Sequence, residues 1–295
     1  MNMAPPSPSW RFEKLGETRA TLGESPAWSA EENCLWWVDI TGCRLFRSAA
    51  SDGATQSWAM PEEIGFVVPA VGGVVVVGLE SGLFTFDAAG GALELILELA
   101  DPGARFNDAC TDSAGRLWAA TCDIANRAPL GKLYRIAPDL AAEAVLDGLM
   151  TPNGLAVDSA RGRLYLSDSH PTVQALWSAP LDIATGALGR RRLLADFTEL
   201  KGRPDGAAID AAGTYWIAGV GGGVLHGFAP DGARVAEVAT PMAQPTKLAF
   251  GGAGLERIFL TSKSEAGKGD PGGCVMTALP GLSGRRETPF GYASA

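Results

Sequence analysis

The sequence predicts an all-β fold, a six-bladed β-propeller, from one recurring pattern and from an abundance of turns. In each copy of the pattern a polar residue precedes a short run of small or apolar residues, an Asp–Gly turn and an aromatic-rich strand. Three copies are clear and start at Asn107, Asn153 and Asp205. Repeats of roughly this size, each a pair of short strands joined by a tight turn, are typical of propeller blades. The 38 glycines among 295 residues supply the turns that a chain of hairpins needs.

Six copies of the pattern, taken in chain order, predict one blade each. The first is looser, starts at Glu24 and leads into a strand at residues 35–38, and the second is weak and lies near Gly65. The last starts at Thr246 and runs into a strand at residues 258–261. The equivalent positions are 24, about 65, 107, 153, 205 and 246, which lie 41 to 52 residues apart. This spacing favours one propeller over two ordinary domains.

The chain is expected to form a single domain. Residues 1–10 begin with a Pro- and Ser-rich stretch and are predicted to be a disordered tail, and residues 11–295 a single six-bladed β-propeller domain. We expect a strand within residues 12–22 to pair with the last blade and so close the ring of blades. Helical signals are few, and the Leu-rich run at residues 88–100 fits a strand as well as a helix.

Composition and charge narrow the range of functions. The net charge of −9 argues against nucleic acid as a partner, since binding its backbone needs a basic face. No segment is long and apolar enough to cross a membrane as a helix, and residues 1–9 lack the apolar core of a secretory signal. The five cysteines are an odd number without metal-type spacing, which fits reduced thiols in a cytoplasmic protein. A monomer is expected because propellers close their own sheet edges.

The repeat also predicts where the chemistry lies. Blades are radial, so one repeat position from every blade meets around the central channel. Glu24, Asn107, Asn153 and Asp205 occupy that position and would place four oxygen-bearing side chains at one end of the channel. Carboxylate and amide oxygens suit Ca²⁺, Mg²⁺ or Mn²⁺, whereas two histidines cannot build a three-histidine zinc site. An open site that binds a catalytic cation is favoured over a calcium ion held only for structure.

Four stretches of the chain, in order and at blade-like spacing, resemble the senescence-marker-protein, gluconolactonase and regucalcin family. They are Leu-Gly-Glu-Ser-Pro at 22–26, Arg-Phe-Asn-Asp at 105–108, Pro-Asn-Gly at 152–154 and Arg-Pro-Asp-Gly at 203–206. The resemblance runs from about residue 16 to about residue 289. It implies a six-bladed propeller with one divalent cation (Ca²⁺, Mg²⁺, Mn²⁺, Zn²⁺ or Fe²⁺) in the channel. It also implies hydrolysis of a small-molecule sugar lactone to the aldonic acid.

The resemblance assigns the metal ligands residue by residue. Glu24, Asn153 and Asp205 match the family's ligands, and Asp205 also matches its proposed general base. A carboxylate bonded to a dication is a weaker base, so attack by a cation-bound hydroxide, with Asp205 only a ligand, stays open.

The substrate contacts are assigned in the same way. Arg105 and Asn107 match the family's substrate-binding pair, and Asp123 is expected to fill its acidic sugar contact. The strand before Asp123 departs from the family's usual Gly-Thr-Met ending, which leaves sugar recognition open. The alternative for Arg105 is an ion pair with Asp101 or Asp108.

Other residues and functions are left open by the sequence. Lys247 could point toward the channel or away from it. The aspartates Asp112, Asp158 and Asp210 lie at the turns of their repeats, where a structural role is expected. A calcium-binding regulatory protein without catalysis is the alternative function, and a lactonase or esterase acting on non-sugar lactones is a further one.

Overall fold

Six four-stranded antiparallel sheets make up the computed structural model, which describes residues 8–98, 101–265 and 271–293. Within these residues the only helix is a 3-10 turn at Phe197–Glu199. The innermost strands of neighbouring sheets lie against one another around a central channel. The predicted all-β six-bladed propeller is therefore confirmed.

The strands follow one another outward from the channel in every blade. The chain starts with β1 (Glu13–Lys14). Blade 1 contains β2 (Gly23–Ser29), β3 (Cys34–Asp39), β4 (Arg44–Ala49) and β5 (Thr55–Ala59). Blade 2 contains β6 (Ile64–Pro69), β7 (Val75–Leu79), β8 (Gly82–Asp87) and β9 (Ala92–Glu98). Blade 3 contains β10 (Ala104–Thr111), β11 (Leu117–Asp123), β12 (Gly131–Ile136) and β13 (Ala142–Leu149).

The second half of the chain repeats this order. Blade 4 contains β14 (Pro152–Asp158), β15 (Arg163–Asp168), β16 (Ala175–Pro180) and β17 (Arg192–Asp196). Blade 5 contains β18 (Arg203–Ile209), β19 (Tyr215–Val220), β20 (Val224–Phe228) and β21 (Arg234–Ala239). Blade 6 contains β22 (Pro245–Gly251), β23 (Arg257–Ser262) and β24 (Met276–Ala278), with β1 as its outermost strand.

The ring of blades is closed by the N-terminal strand, as predicted. β1 pairs antiparallel with β24, and Leu15 N–H donates to Val275 O at 2.9 Å. Trp10 is buried against Trp216 with ring centroids 4.9 Å apart, so the ordered chain begins before residue 11, where the sequence placed the boundary. Of the predicted tail, residues 1–7 lie outside the described residues.

The core is divided among the six interfaces between blades. Each of six hydrophobic clusters joins residues of two neighbouring blades, including the pair formed by blades 6 and 1. The repeat aromatics Trp37, Trp118, Tyr165 and Trp216 are buried in these interfaces. Large flat side chains fit there because neighbouring sheets pack face to face and bury both sides of each ring. The aromatic positions of the repeat therefore hold the blades together.

The turn aspartates have the structural role that the sequence predicted. Asp112 accepts hydrogen bonds from Arg116 N–H and from the indole N–H of Trp118. Asp210 makes the equivalent bonds to Thr214 N–H and the indole of Trp216. One carboxylate thus shapes the turn and also anchors the aromatic side chain of the next strand.

Every innermost strand has a β-bulge near the repeat position. The register with the second strand shifts in all six blades, at Glu24–Ala27, Ile64–Phe66, Phe106–Asp108, Asn153–Ala156, Pro204–Ala207 and Pro245–Leu248. In blade 4 the bulge requires glycine: Gly154 has φ +61°, and a Cβ there would lie 2.5 Å from the Tyr215 hydroxyl. A bulge interrupts the alternation of side chains along a strand and re-aims them. Two successive residues can therefore face the channel.

A C-terminal segment, residues 283–292, crosses the end of the channel that lies beyond the repeat positions. It contacts five blades in turn, each at or beside the turn between the two inner strands. From blade 6 to blade 2 these contacts are Gly284 N–H to Leu255 O, Ala211 N–H to Ser283 O, Arg285 to the Asp158 carboxylate, the Thr111 hydroxyl to Thr288 O, and Phe290 to Pro69 and Val71. Phe290 is fully buried between blades 2 and 3. The segment thus adds a second closure to the ring of blades.

Candidate active site

The four ring residues, Glu24, Asn107, Asn153 and Asp205, lie near the starts of the innermost strands of blades 1, 3, 4 and 5. Each is buried, with 7% or 8% of its surface exposed. We call their end of the channel the ring end and the opposite end the far end. All four residues therefore lie on strands that meet around the channel.

The carboxylates of the ring are held in a poorly solvated environment. Burial, and then the charge of Asp108, raise the pKa of Glu24 to about 7. Burial, then Glu24 and Asp108, raise the pKa of Asp205 well above its ordinary value. Like charges raise a carboxyl pKa only when they are close and weakly screened. Glu24, Asp108 and Asp205 thus form one cluster of negative charge that favours an added cation.

The oxygen atoms of the ring are available to a ligand. The Asp205 carboxylate has no hydrogen-bond or ion-pair partner among the described residues, and neither has Oε1 of Glu24. Asn153 donates from Nδ2 to the Ser169 hydroxyl at 3.0 Å, and Ser169 in turn donates to Pro204 O. Because its side-chain N–H group is bonded to Ser169, Asn153 directs its oxygen, Oδ1, toward the channel. A divalent cation that prefers oxygen ligands fits this donor set, and Ser169 would orient one ligand from behind.

Arg105 lies beside the ring but does not make the ion pair considered from the sequence. Its Nε is 2.9 Å from Glu63 Oε2 of blade 2, and Nη1 donates to Asn107 Oδ1 at 2.9 Å. The alternative of a partner at Asp101 or Asp108 is wrong, since those carboxylates bind Lys132 and Lys247 respectively. Arg105 and Asn107 lie on one side of β10, where their side chains bond to each other. Glu63 holds the guanidinium in place and was not foreseen, because it comes from a neighbouring blade.

Asp123 stands at the end of β11, opposite Ala104. Its carboxylate accepts hydrogen bonds from the backbone N–H groups of Ala125, Arg127 and Ala128, which lower its pKa. These bonds shape the loop that follows the strand. A contact between Asp123 and a sugar stays a prediction.

The structure adds two residues that the sequence did not place in the site, Asp108 and Lys247. Lys247 is buried and its Nζ lies 2.5 Å from Asp108 Oδ1, so the side chain points into the channel. Strand alternation would send Asp108 away from Asn107, and Lys247 away from Thr246. The bulges overturn this expectation. The Asn-Asp pair in the 105–108 stretch was the one signal that could have revealed Asp108.

A cavity of about 530 Å³ occupies the far end of the channel. Apolar residues of the inner strands line it, together with Lys247 and residues 285–289 of the C-terminal segment. None of the four ring residues lines this cavity. The ring site is therefore separate from the cavity, and Lys247 lies at the boundary between them.

Comparisons with known proteins agree with this architecture. The sequence model of one protein family, described as the SMP-30/Gluconolactonase/LRE-like region, matches residues 22–264 of this chain. A 6-deoxy-6-sulfogluconolactonase of Pseudomonas putida is 36% identical, over 92% of this chain and 95% of that protein. A pentonolactonase of Haloferax volcanii is 30% identical, over 88% and 87% respectively. The crystal structure of a calcium-binding protein, regucalcin, from Agrobacterium tumefaciens superposes with a TM-score of 0.90 at 27% identity, covering 98% of this chain and 99% of that one. In the part of the chain that the structure describes, no helix has the length and hydrophobicity to span a membrane.

Proposed function

The chain belongs to the SMP-30/gluconolactonase/LRE-like family, and from that premise we propose that it hydrolyses a sugar lactone to the aldonic acid with one bound divalent cation. The observation that carries the proposal is that Glu24, Asn153 and Asp205 are buried at the ring end and that each keeps at least one oxygen without a partner in the part of the chain that the structure describes. Relatives named as lactonases support the substrate class.

Glu24, Asn153 and Asp205 would hold the cation. When bound there, a divalent cation polarises the lactone carbonyl and stabilises the oxyanion that forms on attack. Asn153 keeps its oxygen toward the site because Ser169 holds its amide N–H group. Glu24 accepts a backbone hydrogen bond from Ser25 on one oxygen at 2.8 Å, which leaves the other oxygen free for the cation.

Asp205 is the candidate general base. Its carboxylate has no hydrogen-bond or ion-pair partner within residues 8–98, 101–265 and 271–293, so it can take the proton of a water that attacks the lactone carbonyl carbon. Burial, and then the charges of Glu24 and Asp108, raise the pKa of Asp205 and so raise its basicity. This offsets in part the loss of basicity that a ligand suffers beside a cation.

Arg105 and Asn107 are proposed to hold the sugar. The Glu63 carboxylate fixes the Arg105 guanidinium, which keeps further N–H donors in a rigid plane for ring and hydroxyl oxygens. Asn107 Nδ2 also donates to Pro152 O at 3.0 Å, and this bond joins β10 to β14 at the site. A preorganised pair loses little entropy when substrate binds.

The test is acid release from a panel of aldonolactones by protein stripped of metal and then given Ca²⁺, Mg²⁺, Mn²⁺, Zn²⁺ or Fe²⁺ singly. The panel should include five- and six-membered rings and a 6-sulfonated gluconolactone, as the named relatives suggest. We expect cation-dependent turnover that Asp205→Asn abolishes and that Asp231→Asn, an exposed turn residue of the same blade, leaves intact. No turnover on any lactone by folded protein would overturn the proposal.

A calcium-binding role without catalysis is the second candidate, favoured by the likeness to the calcium-binding regucalcin structure. It predicts tight Ca²⁺ binding with no acid release from any lactone. Turnover on simple aliphatic lactones or esters, but not on aldonolactones, would instead indicate a non-sugar substrate.

A further inference from the structure

The side chain of Lys247 crosses the channel. It starts from β22 in blade 6, and its Nζ bonds to Asp108 on β10 in blade 3, which stands opposite in a ring of six. Its stem passes over the backbone of Gly206, where a Cβ would lie 2.4 Å from both Cβ and Cγ of Lys247. The side chain therefore has a defined path and lies next to the strand that carries Asp205.

Asp108 differs from the two carboxylates beside it in having its oxygens fully engaged. Oδ1 accepts from Lys247 Nζ at 2.5 Å and from Ala109 N–H at 2.8 Å. Oδ2 accepts from Leu155 N–H of blade 4 at 2.8 Å. Among the described residues, Glu24 and Asp205 each keep a free oxygen. The charge of Asp108 nevertheless raises the pKa of both.

Lys247 is charged in this setting. Burial alone lowers the pKa of Lys247, but the charge and hydrogen bond of Asp108 and the charge of Glu24 raise it to about 12. Its positive charge cancels that of Asp108, which leaves Glu24 and Asp205 as two negative charges facing a dication. Arg105 is balanced by Glu63.

We propose that Lys247 is a positioning residue, an internal counter-ion that keeps Asp108 out of the cation-binding set, so that the site presents only Glu24, Asn153 and Asp205. The pair also holds Leu155 N–H, two residues after Asn153, and thereby fixes the bulge that presents the Asn153 oxygen. This inference rests on the proposed function, since it assumes the cation at the ring.

The inference predicts that the two substitutions that break the Lys247–Asp108 pair change cation affinity in opposite directions. Lys247→Met keeps the length that packs over Gly206 and leaves Asp108 negative, so cation affinity should rise about tenfold or more. Asp108→Asn is nearly isosteric and leaves the Lys247 ammonium, which also donates to Ala109 O at 3.1 Å, without its carboxylate partner. The positive charge beside the ring is then no longer cancelled by Asp108, so cation affinity should fall by about the same factor. Lys247→Met/Asp108→Asn removes both charges and should return to within about threefold of wild type. Arg203, which lowers the pKa of Asp205, is shared by all four proteins.

The experiment is calorimetric titration of metal-stripped wild type and the three variants with Ca²⁺, at one pH and one salt concentration. Thermal unfolding in chelator and in saturating Ca²⁺ gives a second readout, in which Ca²⁺ should raise the Tm of Lys247→Met most and that of Asp108→Asn least. The double variant keeps the test valid if either single variant folds poorly.

The counter-ion role would be overturned if Ca²⁺ affinity changed in the same direction in both single variants, or if both single variants bound Ca²⁺ as tightly as wild type. The pair would then have a purely structural role. Those results would not touch the proposed function so long as wild type binds a cation and hydrolyses a lactone. Failure of wild type to bind any of the five cations would overturn both.

Discussion

Burial should make the Glu24 carboxylate a source of instability whenever no cation is bound. Its pKa is raised from the ordinary 4.5 to about 7, first by burial and then by Asp108. A carboxyl whose pKa is higher in the folded than in the unfolded protein binds more protons when folded, between those two values. Stability in chelator should therefore fall as pH rises from 4.5 to about 7, and the loss is complete above that pH.

The size of this loss follows from the two pKa values. One pKa unit corresponds to ~1.4 kcal/mol, so Glu24 should cost about 3 kcal/mol by neutral pH. For a domain of this size that is a fall in Tm of about 5–10 °C. Asp205, whose pKa is raised by burial and by Glu24, should make the free energy of unfolding fall still more steeply with pH. A saturating cation should remove the slope because it binds the deprotonated carboxylates.

The assay is thermal and urea unfolding of wild type and Glu24→Gln in chelator, from pH 4.5 to 8. The difference between the two proteins reports the Glu24 carboxyl together with its effect on Asp205, whose pKa Glu24 helps to raise. We expect Glu24→Gln to be the more stable protein at pH 7.5 and to show no gain from added cation. A wild type whose stability is flat or rises over this range, or a variant with an unchanged slope, would refute the reasoning.

Three further predictions concern the ligand support and the two closures. Ser169→Ala should weaken cation binding about 10- to 100-fold in calorimetry because Asn153 loses its orienting bond, whereas Ser178→Ala, in the same blade, should not change it. Deleting residues 283–295 should lower the Tm by about 5 °C or more, since Phe290 and the contacts to five blades are lost, while deleting 293–295 serves as the control. An equal Tm for both truncations would contradict a closing role. Deleting residues 1–22 should abolish cooperative unfolding in circular dichroism because β24 loses its partner, and deleting 1–7 should leave it intact.

Much of the candidate site could be predicted because the fold repeats. The positions 24, 107, 153 and 205 share one place in the repeat, and a propeller converts a shared place into proximity. All six repeat positions do lie on innermost strands. The aromatic and turn positions could be assigned for the same reason, since every blade packs against its neighbours and turns between its inner strands in the same way.

Contacts between blades could not be predicted in this way. Arg105 pairs with Glu63 of blade 2, and Lys247 with Asp108 across the channel, although nothing in the repeat relates these residues. Both Asp108 and Lys247 follow a repeat position directly, and strand alternation sends them away from the channel. The bulges reverse that direction, and a bulge leaves little trace in a single sequence.

The C-terminal segment lies outside the repeat, so its path over five blades could not be foreseen either. The number of blades and the place of the oxygen-bearing residues could be predicted from the sequence, because both depend on a local pattern that recurs from blade to blade. Which charges meet in the channel, and what covers its far end, became visible only in the folded chain. Those features depend on side chains from distant blades, whose distances and burial are set when the ring closes.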